Sequence, residues 1–120
     1  MARYRLSNAA QADIVEILAW TEEHFGDAAR QRYESLLVSA LRDISQPNPV
    51  GSIERPELGE GVRSWHLRLS RGRASAPSDI VRRPRHFLVY RVEKDLVVVA
   101  RVLHDAMELA RHLHPKGSWD

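Results

Sequence analysis

His66, His86, Tyr90, Arg101 and His104 are side chains whose types suit proton transfer beside a charged centre. Attack of a ribose 2′-OH on its phosphate needs a base to take a proton and an acid to give one to the leaving oxygen. It also needs a cation to hold the phosphorus centre. Imidazole titrates nearest neutrality and fits the base. His86 also reads as a strand-face residue, and His104 as a helix-start residue bonded to backbone. That plainer reading is preferred for both as catalysts. His104, Asp105, His112 and His114 lack the spacing of a ligand motif, and a catalytic zinc needs three convergent ligands with an open position. Gly59-Glu60-Gly61 and Arg71-Gly72-Arg73 lack phosphate-loop spacing. Ser64, His104 and Asp105 form a triad only on paper, with no nucleophile elbow. No metal and no cofactor are expected.

The denser signal is cationic. Residues 1–60 hold 6 Lys/Arg against 10 Asp/Glu, and residues 61–120 hold 12 against 6, so a net charge of +2 conceals halves of −4 and +6. From Arg63 to Arg91 there are eight arginines and one acid, Asp79. Such a half attracts anionic partners. Guanidinium stays charged and binds carboxylate or phosphate in a bidentate manner. Arg63, Arg68, Arg71, Arg73, Arg82, Arg83, Arg85, Arg101 and His104 are therefore candidate contacts to a target. A basic surface that only aids solubility accounts for the same charge, and for the loop arginines the two readings stand level. Trp65 is either an interface anchor or a core residue of a sheet.

These residues need a frame. Arg3-Tyr4-Arg5-Leu6 reads as a short strand, and Ser7 or Asn8 caps a helix, with Gln11 three residues after Asn8. Ile14, Leu18, Thr21 and Phe25 form its stripe, and Gly26 ends it. Asp27 is expected to cap a second helix carrying Tyr33, Leu36, Leu37, Ala40, Leu41 and Ile44 on one face. The spacing predicts helices near 8–24 and 27–45, joined as a hairpin. Trp20 lies off the first stripe and Tyr33 early in the second. An exposed apolar patch there would need a partner, and packing between the helices is the more ordinary explanation.

Past Pro47, Pro49, Gly51 and Pro56 the period changes from 3.6 to 2. Strands are predicted near 62–69, 86–92 and 96–103, the last two joined by the Glu93-Lys94-Asp95 turn. Ser70–Arg85 is long for a hairpin connection and reads as an insertion. Asp105 is expected to cap a short terminal helix with Met107, Leu109 and Ala110.

The 120 residues fit one domain, 1–120, with the long loop at 70–85. No run of 18 apolar residues and no secretory pattern is present, and cysteine is absent. A cytoplasmic protein without a membrane span is expected.

Tyr4-Arg5-Leu6-Ser7 followed by Ala9-Ala10 and Ala12-Asp13-Ile14 resembles the opening of the ParE/RelE superfamily of toxins from type II toxin–antitoxin modules. Phe25-Gly26 before Ala28-Ala29-Arg30-Gln31-Arg32-Tyr33 is similar too, as are Gly61-Val62-Arg63-Ser64 and Arg85 to Val92. The stretch Val99 to Met107, with Arg101-Val102-Leu103-His104-Asp105, most resembles the ParE branch. The likeness spans residues 3–113, and Ser70–Arg85 departs from it. It implies an α+β fold: an N-terminal strand, a helical hairpin on a mainly antiparallel sheet, and a short C-terminal helix. It also implies a toxin that inhibits DNA gyrase and is neutralised by a ParD-like antitoxin, with DNA contacted only through gyrase or the antitoxin. Trp20, Phe25, Tyr33 and Leu37 are then candidate antitoxin contacts. The RelE branch implies instead a metal-independent endonuclease of ribosome-bound mRNA, and that branch tends to carry a denser Lys/Arg/Tyr set. An inactive member that binds only antitoxin or DNA is a third reading.

Overall fold

The computed structural model describes residues 3–73, 80–106 and 119–120. Strand β1 (Arg3–Leu6) leads into helices α1 (Asn8–Phe25) and α2 (Asp27–Ile44). Strands β2 (Ile53–Glu54), β3 (Val62–His66), β4 (His86–Glu93) and β5 (Leu96–His104) follow. They form one mixed sheet in the order β1-β5-β4-β3-β2, in which β1 runs parallel to β5 and the other pairs are antiparallel. This is the α+β architecture expected. The terminal helix predicted after Asp105 lies outside the described residues.

The helical hairpin starts at a double-duty serine. Ser7 Oγ accepts from the Ala10 N–H at 3.0 Å, capping α1, and donates to the Ala100 carbonyl at 2.6 Å, fastening the cap to β5. Gln11 reaches back to the Leu6 carbonyl. Gly26, at φ +91°, breaks the chain between the helices where an L side chain would be strained. Asp27 was expected to cap α2. It is instead the first helical residue, and its carboxylate takes Arg30 and Gln31 side chains rather than a backbone N–H.

The apolar face of α2 closes on the sheet as its spacing predicts. Tyr33, Leu36, Leu37, Ala40, Leu41 and Ile44 pack with Leu88, Tyr90, Val97 and Val99. Each large side chain buried this way contributes about 1.5–3 kcal/mol before entropy is subtracted. Alternation sends Phe87 and Val89 to the opposite face, where they meet Val62, Ala100 and Leu103. Leu58 and Trp119 cover this second cluster, and the Arg91 guanidinium lies 4.4 Å from the Trp119 ring centre. Arg5 donates to the Trp119 carbonyl, and the Asn8 N–H to that of Asp120, both at 2.6 Å.

Two departures from the sequence pattern shape the site. The third strand was expected to reach residue 69 and ends at His66. Leu67 turns inward to full burial and starts a 3-10 helix, Leu67–Arg73. Trp65 Nε1 donates to Ser70 Oγ at 3.0 Å, which donates to Asp43 on α2 at 2.6 Å, so this turn is bolted to the hairpin. The other is a bulge in the β4–β5 ladder: Val89 pairs with Arg101, while Tyr90 pairs with Val99. The extra residue, Ala100, flips the side-chain phase, so that Val102 joins the helix-side core and Leu103 faces away.

Candidate functional site

The bulge sets up a tie between sheet and hairpin. Arg101 Nε and Nη2 donate to the two carboxylate oxygens of Asp13 at 2.7 and 2.9 Å, and the Val102 N–H donates to the same carboxylate at 2.9 Å. Asp13 comes from the first half of α1. Its charge and hydrogen bond raise the Arg101 guanidinium further above its ordinary value, against the opposing effect of burial.

Beside this tie opens a groove of about 1040 Å³. One wall is α1, with Glu16, Ile17, Trp20, Thr21 and Phe25. The other is the segment 80–86, with Ile80, Val81, Arg82, Arg83, Arg85 and His86. The floor is Tyr33 and the end of β5 through His104. Trp20 is 52 % exposed and Phe25 68 %. Trp20 stacks on His24 at 4.2 Å and meets Phe25 edge-on at 5.7 Å, so the mouth of the groove carries a ring cluster.

His86 at the start of β4 and His104 at the end of β5 line the groove, and His66 ends the neighbouring β3. Tyr33 Oη bridges α2 to this end of the sheet: it accepts from the Arg85 N–H at 3.3 Å and shares a hydrogen bond with His86 Nδ1 at 2.6 Å. Burial raises the Tyr33 hydroxyl to about 12, against the bond from Arg85. Burial, aided by neighbouring His104, lowers His86 to about 4, so its ring is neutral. His104 lies edge-on to His86 with ring centres 5.3 Å apart.

Asp105 gathers the surrounding cations. His66 Nε2 donates to its Oδ2 at 3.2 Å, and Arg85 Nε to Oδ1 at 3.3 Å. Desolvation pushes the Asp105 carboxyl up, but the bond from His66 and the charges of Arg85 and His104 outweigh it and hold it below its ordinary value. Burial lowers His66, with the Asp105 bond opposing.

Each imidazole has its Nδ1 in a hydrogen bond. His66 Nδ1 accepts from the Arg68 N–H and His104 Nδ1 from the Ala106 N–H, both at 3.1 Å, and His86 Nδ1 is hydrogen-bonded to the Tyr33 hydroxyl. For His104 the amide at 3.1 Å is within bonding range, whereas Asp105 Oδ1 at 3.6 Å is not. The His66 proton therefore sits on Nε2, facing Asp105. A neutral ring in that state has no free lone pair with which to abstract a proton.

Of the candidate target contacts, Arg82, Arg83, Arg85, Arg101 and His104 converge on the groove. Arg68 and Arg71 are exposed on the 3-10 helix, where Arg71 Nη1 donates to the Arg82 carbonyl at 3.0 Å, and Arg73 ends that helix. Arg63 lies towards the far edge of the sheet, bonded to Ser52 and Glu54. Trp65, at 4 % exposure, is a core residue. Of the candidate antitoxin contacts, Trp20, Phe25 and Tyr33 line the same groove. Leu37, at 3 % exposure, packs in the core and offers no surface. Asp13, Glu16 and Arg32 line the groove too, without a signal in the sequence that would have singled them out.

The ParE toxin model, described as the ParE toxin of the type II toxin–antitoxin system parDE, matches residues 4–109. The chain belongs to the ParE toxin family. The match spans the hairpin, the whole of β3 to β5 and the groove between them, so this toxin carries its family signature on the elements that build the site. A search among curated proteins returns no match. Membership makes the chain the toxin of a type II module, with an antitoxin as partner. No helix among the described residues is long and apolar enough to cross a membrane, and those residues hold no group of three or more potential metal ligands.

Proposed function

We propose that this toxin poisons DNA gyrase by docking, without a catalytic centre of its own, and that a ParD-like antitoxin neutralises it. One observation carries the preference for docking over RNA cleavage. The groups suited to acid–base work are engaged: the Nδ1 atoms of His66 and His104 accept backbone N–H bonds, and His86 Nδ1 shares a hydrogen bond with the Tyr33 hydroxyl. Arg101, the cation best placed to hold a phosphate, is clasped by Asp13. A base must have an open lone pair within reach of the proton it takes. The exposed arginines Arg82 and Arg83 remain available for anionic or polar docking.

Target and antitoxin candidates share one groove, so an antitoxin seated against Trp20 and Phe25 would cover Arg82 and Arg83 as well. Neutralisation then needs no change of fold in the toxin. The test is expression with and without the small gene adjoining this one. Expression alone is expected to arrest growth with DNA breaks accumulating, and co-expression to restore growth and yield a co-purifying pair. Unhindered growth together with failure to co-purify would overturn the proposal.

A further inference from the structure

The mouth of the groove holds a fixed stack of rings. Trp20 and His24 lie one turn apart on α1, with ring centres 4.2 Å apart and planes 24° from parallel. The stack is tethered through the backbone: His24 Nδ1–H donates to the Trp20 carbonyl at 2.9 Å. Phe25 meets the indole edge-on at 5.7 Å. Neither Trp20 nor Phe25 belongs to a core cluster, and they stand 52 % and 68 % exposed. Large rings held in one orientation at the surface leave apolar area for a partner to cover.

The charge around these rings selects the partner. Arg82 and Arg83 are exposed on the facing wall and, like Arg32 on α2, have no carboxylate partner among the described residues. Of the other arginines lining the groove, Arg85 is engaged by Asp105 and Arg101 by Asp13. Glu16 is the one lining carboxylate without a cation among the described residues. The free charge is therefore positive, three guanidiniums against one carboxylate. An apolar peptide side chain gains most where it is enclosed, and rings this exposed enclose little. A flat ring face beside unpaired guanidiniums matches a nucleotide, whose base stacks and whose phosphate takes bidentate N–H donors. In a duplex the bases cover one another, so only an unpaired strand offers a face to Trp20.

We infer that the Trp20–His24 stack with Arg82 and Arg83 is a binding site for an unpaired stretch of DNA strand, a base lying on the indole and its flanking phosphates on the two guanidiniums; the choice of DNA over RNA rests on the gyrase reading. A toxin that traps a gyrase–DNA cleavage complex meets strands at a break, where bases can leave the stack. The tethered rings lose little side-chain freedom when a base arrives. Glu16, one turn before Trp20 on α1, repels phosphate, so the strand's charges run along the segment 80–86 and its bases turn towards the helix. An antitoxin seated against Trp20 and Phe25 excludes the strand, which gives neutralisation a direct cause.

The experiment measures binding of a short fluorescein-labelled single-stranded oligodeoxynucleotide to the full chain freed from antitoxin, by anisotropy across a salt series. It uses variants whose unfolding midpoints match the unsubstituted protein. Trp20→Ala is expected to weaken binding about five- to a hundredfold with the salt dependence unchanged. Trp20→Phe keeps a ring face and should stay within about threefold. Arg82→Gln together with Arg83→Gln should lower the slope of log affinity against log salt by about 1.4, the share of two phosphate contacts on a single strand. The same sequence as a duplex should bind at least about tenfold more weakly. Affinity unmoved by Trp20→Ala would overturn the site. Absence of strand binding in a chain that still binds its antitoxin would overturn it in favour of a protein occupant. Both results leave the gyrase reading to the supercoiling assay. Binding of the matching ribonucleotide strand about tenfold more tightly than DNA would overturn the assignment to DNA. Strand binding that Trp20→Ala abolishes, in a toxin that leaves gyrase untouched, would bear out the site and overturn the gyrase reading.

Discussion

Asp13 on α1 holds Arg101 on β5 by two hydrogen bonds of 2.7 and 2.9 Å, and takes the Val102 N–H that the strand bulge leaves beside it. This clasp fixes the helix wall of the groove against its floor. Asp13→Ala removes the carboxylate bonded by the partly buried Arg101 guanidinium and by the Val102 N–H. A loss of about 2–3 kcal/mol is expected. Urea unfolding of the variant checks this. A change below about 0.5 kcal/mol, the range of ordinary surface substitutions, would contradict it.

Ser7 carries two bonds on one hydroxyl, capping α1 and fastening it to the Ala100 carbonyl. Ser7→Ala is expected to cost about 1–3 kcal/mol, since it removes a cap and leaves a buried carbonyl lacking that donor. The effect should appear as a lower denaturant midpoint with an unchanged slope.

How much of this was legible in the chain depends on sequence distance. The α2 stripe from Tyr33 to Ile44 follows a fixed 3.6 period and lies on the core as its spacing predicts. The Glu93-Lys94-Asp95 turn likewise gives the β4–β5 pair, with Lys94 at φ +58°. The end of β3 was not legible, because Leu67 and Leu69 continue an apolar alternation. What stops the strand is the Trp65–Ser70–Asp43 chain to another element. The same holds for the site: Asp13 and Arg101 are 88 residues apart, and nothing in either neighbourhood announces the pairing. The arginines were visible as charge, but only the fold separates Arg63 from the groove and leaves Arg82 and Arg83 in it. The β2–β3 pairing rests on two residues, Ile53 and Glu54, too short a run to show a period.

Acid should destabilise the protein through its histidines. His86 titrates near 4 when folded and near the ordinary 6.5 when unfolded, so between those values the unfolded chain binds more protons. Stability is therefore fullest above about pH 6.5 and declines as pH falls towards 4; His66, also lowered, adds in the same direction. The His86 contribution is of order 2–3 kcal/mol. Stability against pH in urea should show this slope, and His86→Asn should flatten it. On the alkaline side Tyr33, raised to about 12, makes stability fall above pH 10, because the folded state then holds a proton that the unfolded chain gives up. Tyr33→Phe should remove that alkaline decline.

Toxicity should depend on the basic wall more than on any imidazole. Charge reversal at both Arg82 and Arg83 is expected to weaken growth arrest more than His104→Ala, because docking loses attraction and no proton transfer is at stake. Growth curves of folded, equally expressed variants make the comparison. The reverse order would favour the ribonuclease reading.

The most direct measurement is the effect of the purified toxin, freed from antitoxin, on DNA gyrase and on ribosome-bound mRNA in parallel reactions. Blocked supercoiling or trapped gyrase–DNA cleavage complexes, with the mRNA intact, is the result expected. Cuts in the mRNA with gyrase unaffected, abolished by His86→Ala or His104→Ala alone, would contradict the docking account and put a ribosome-dependent nuclease in its place.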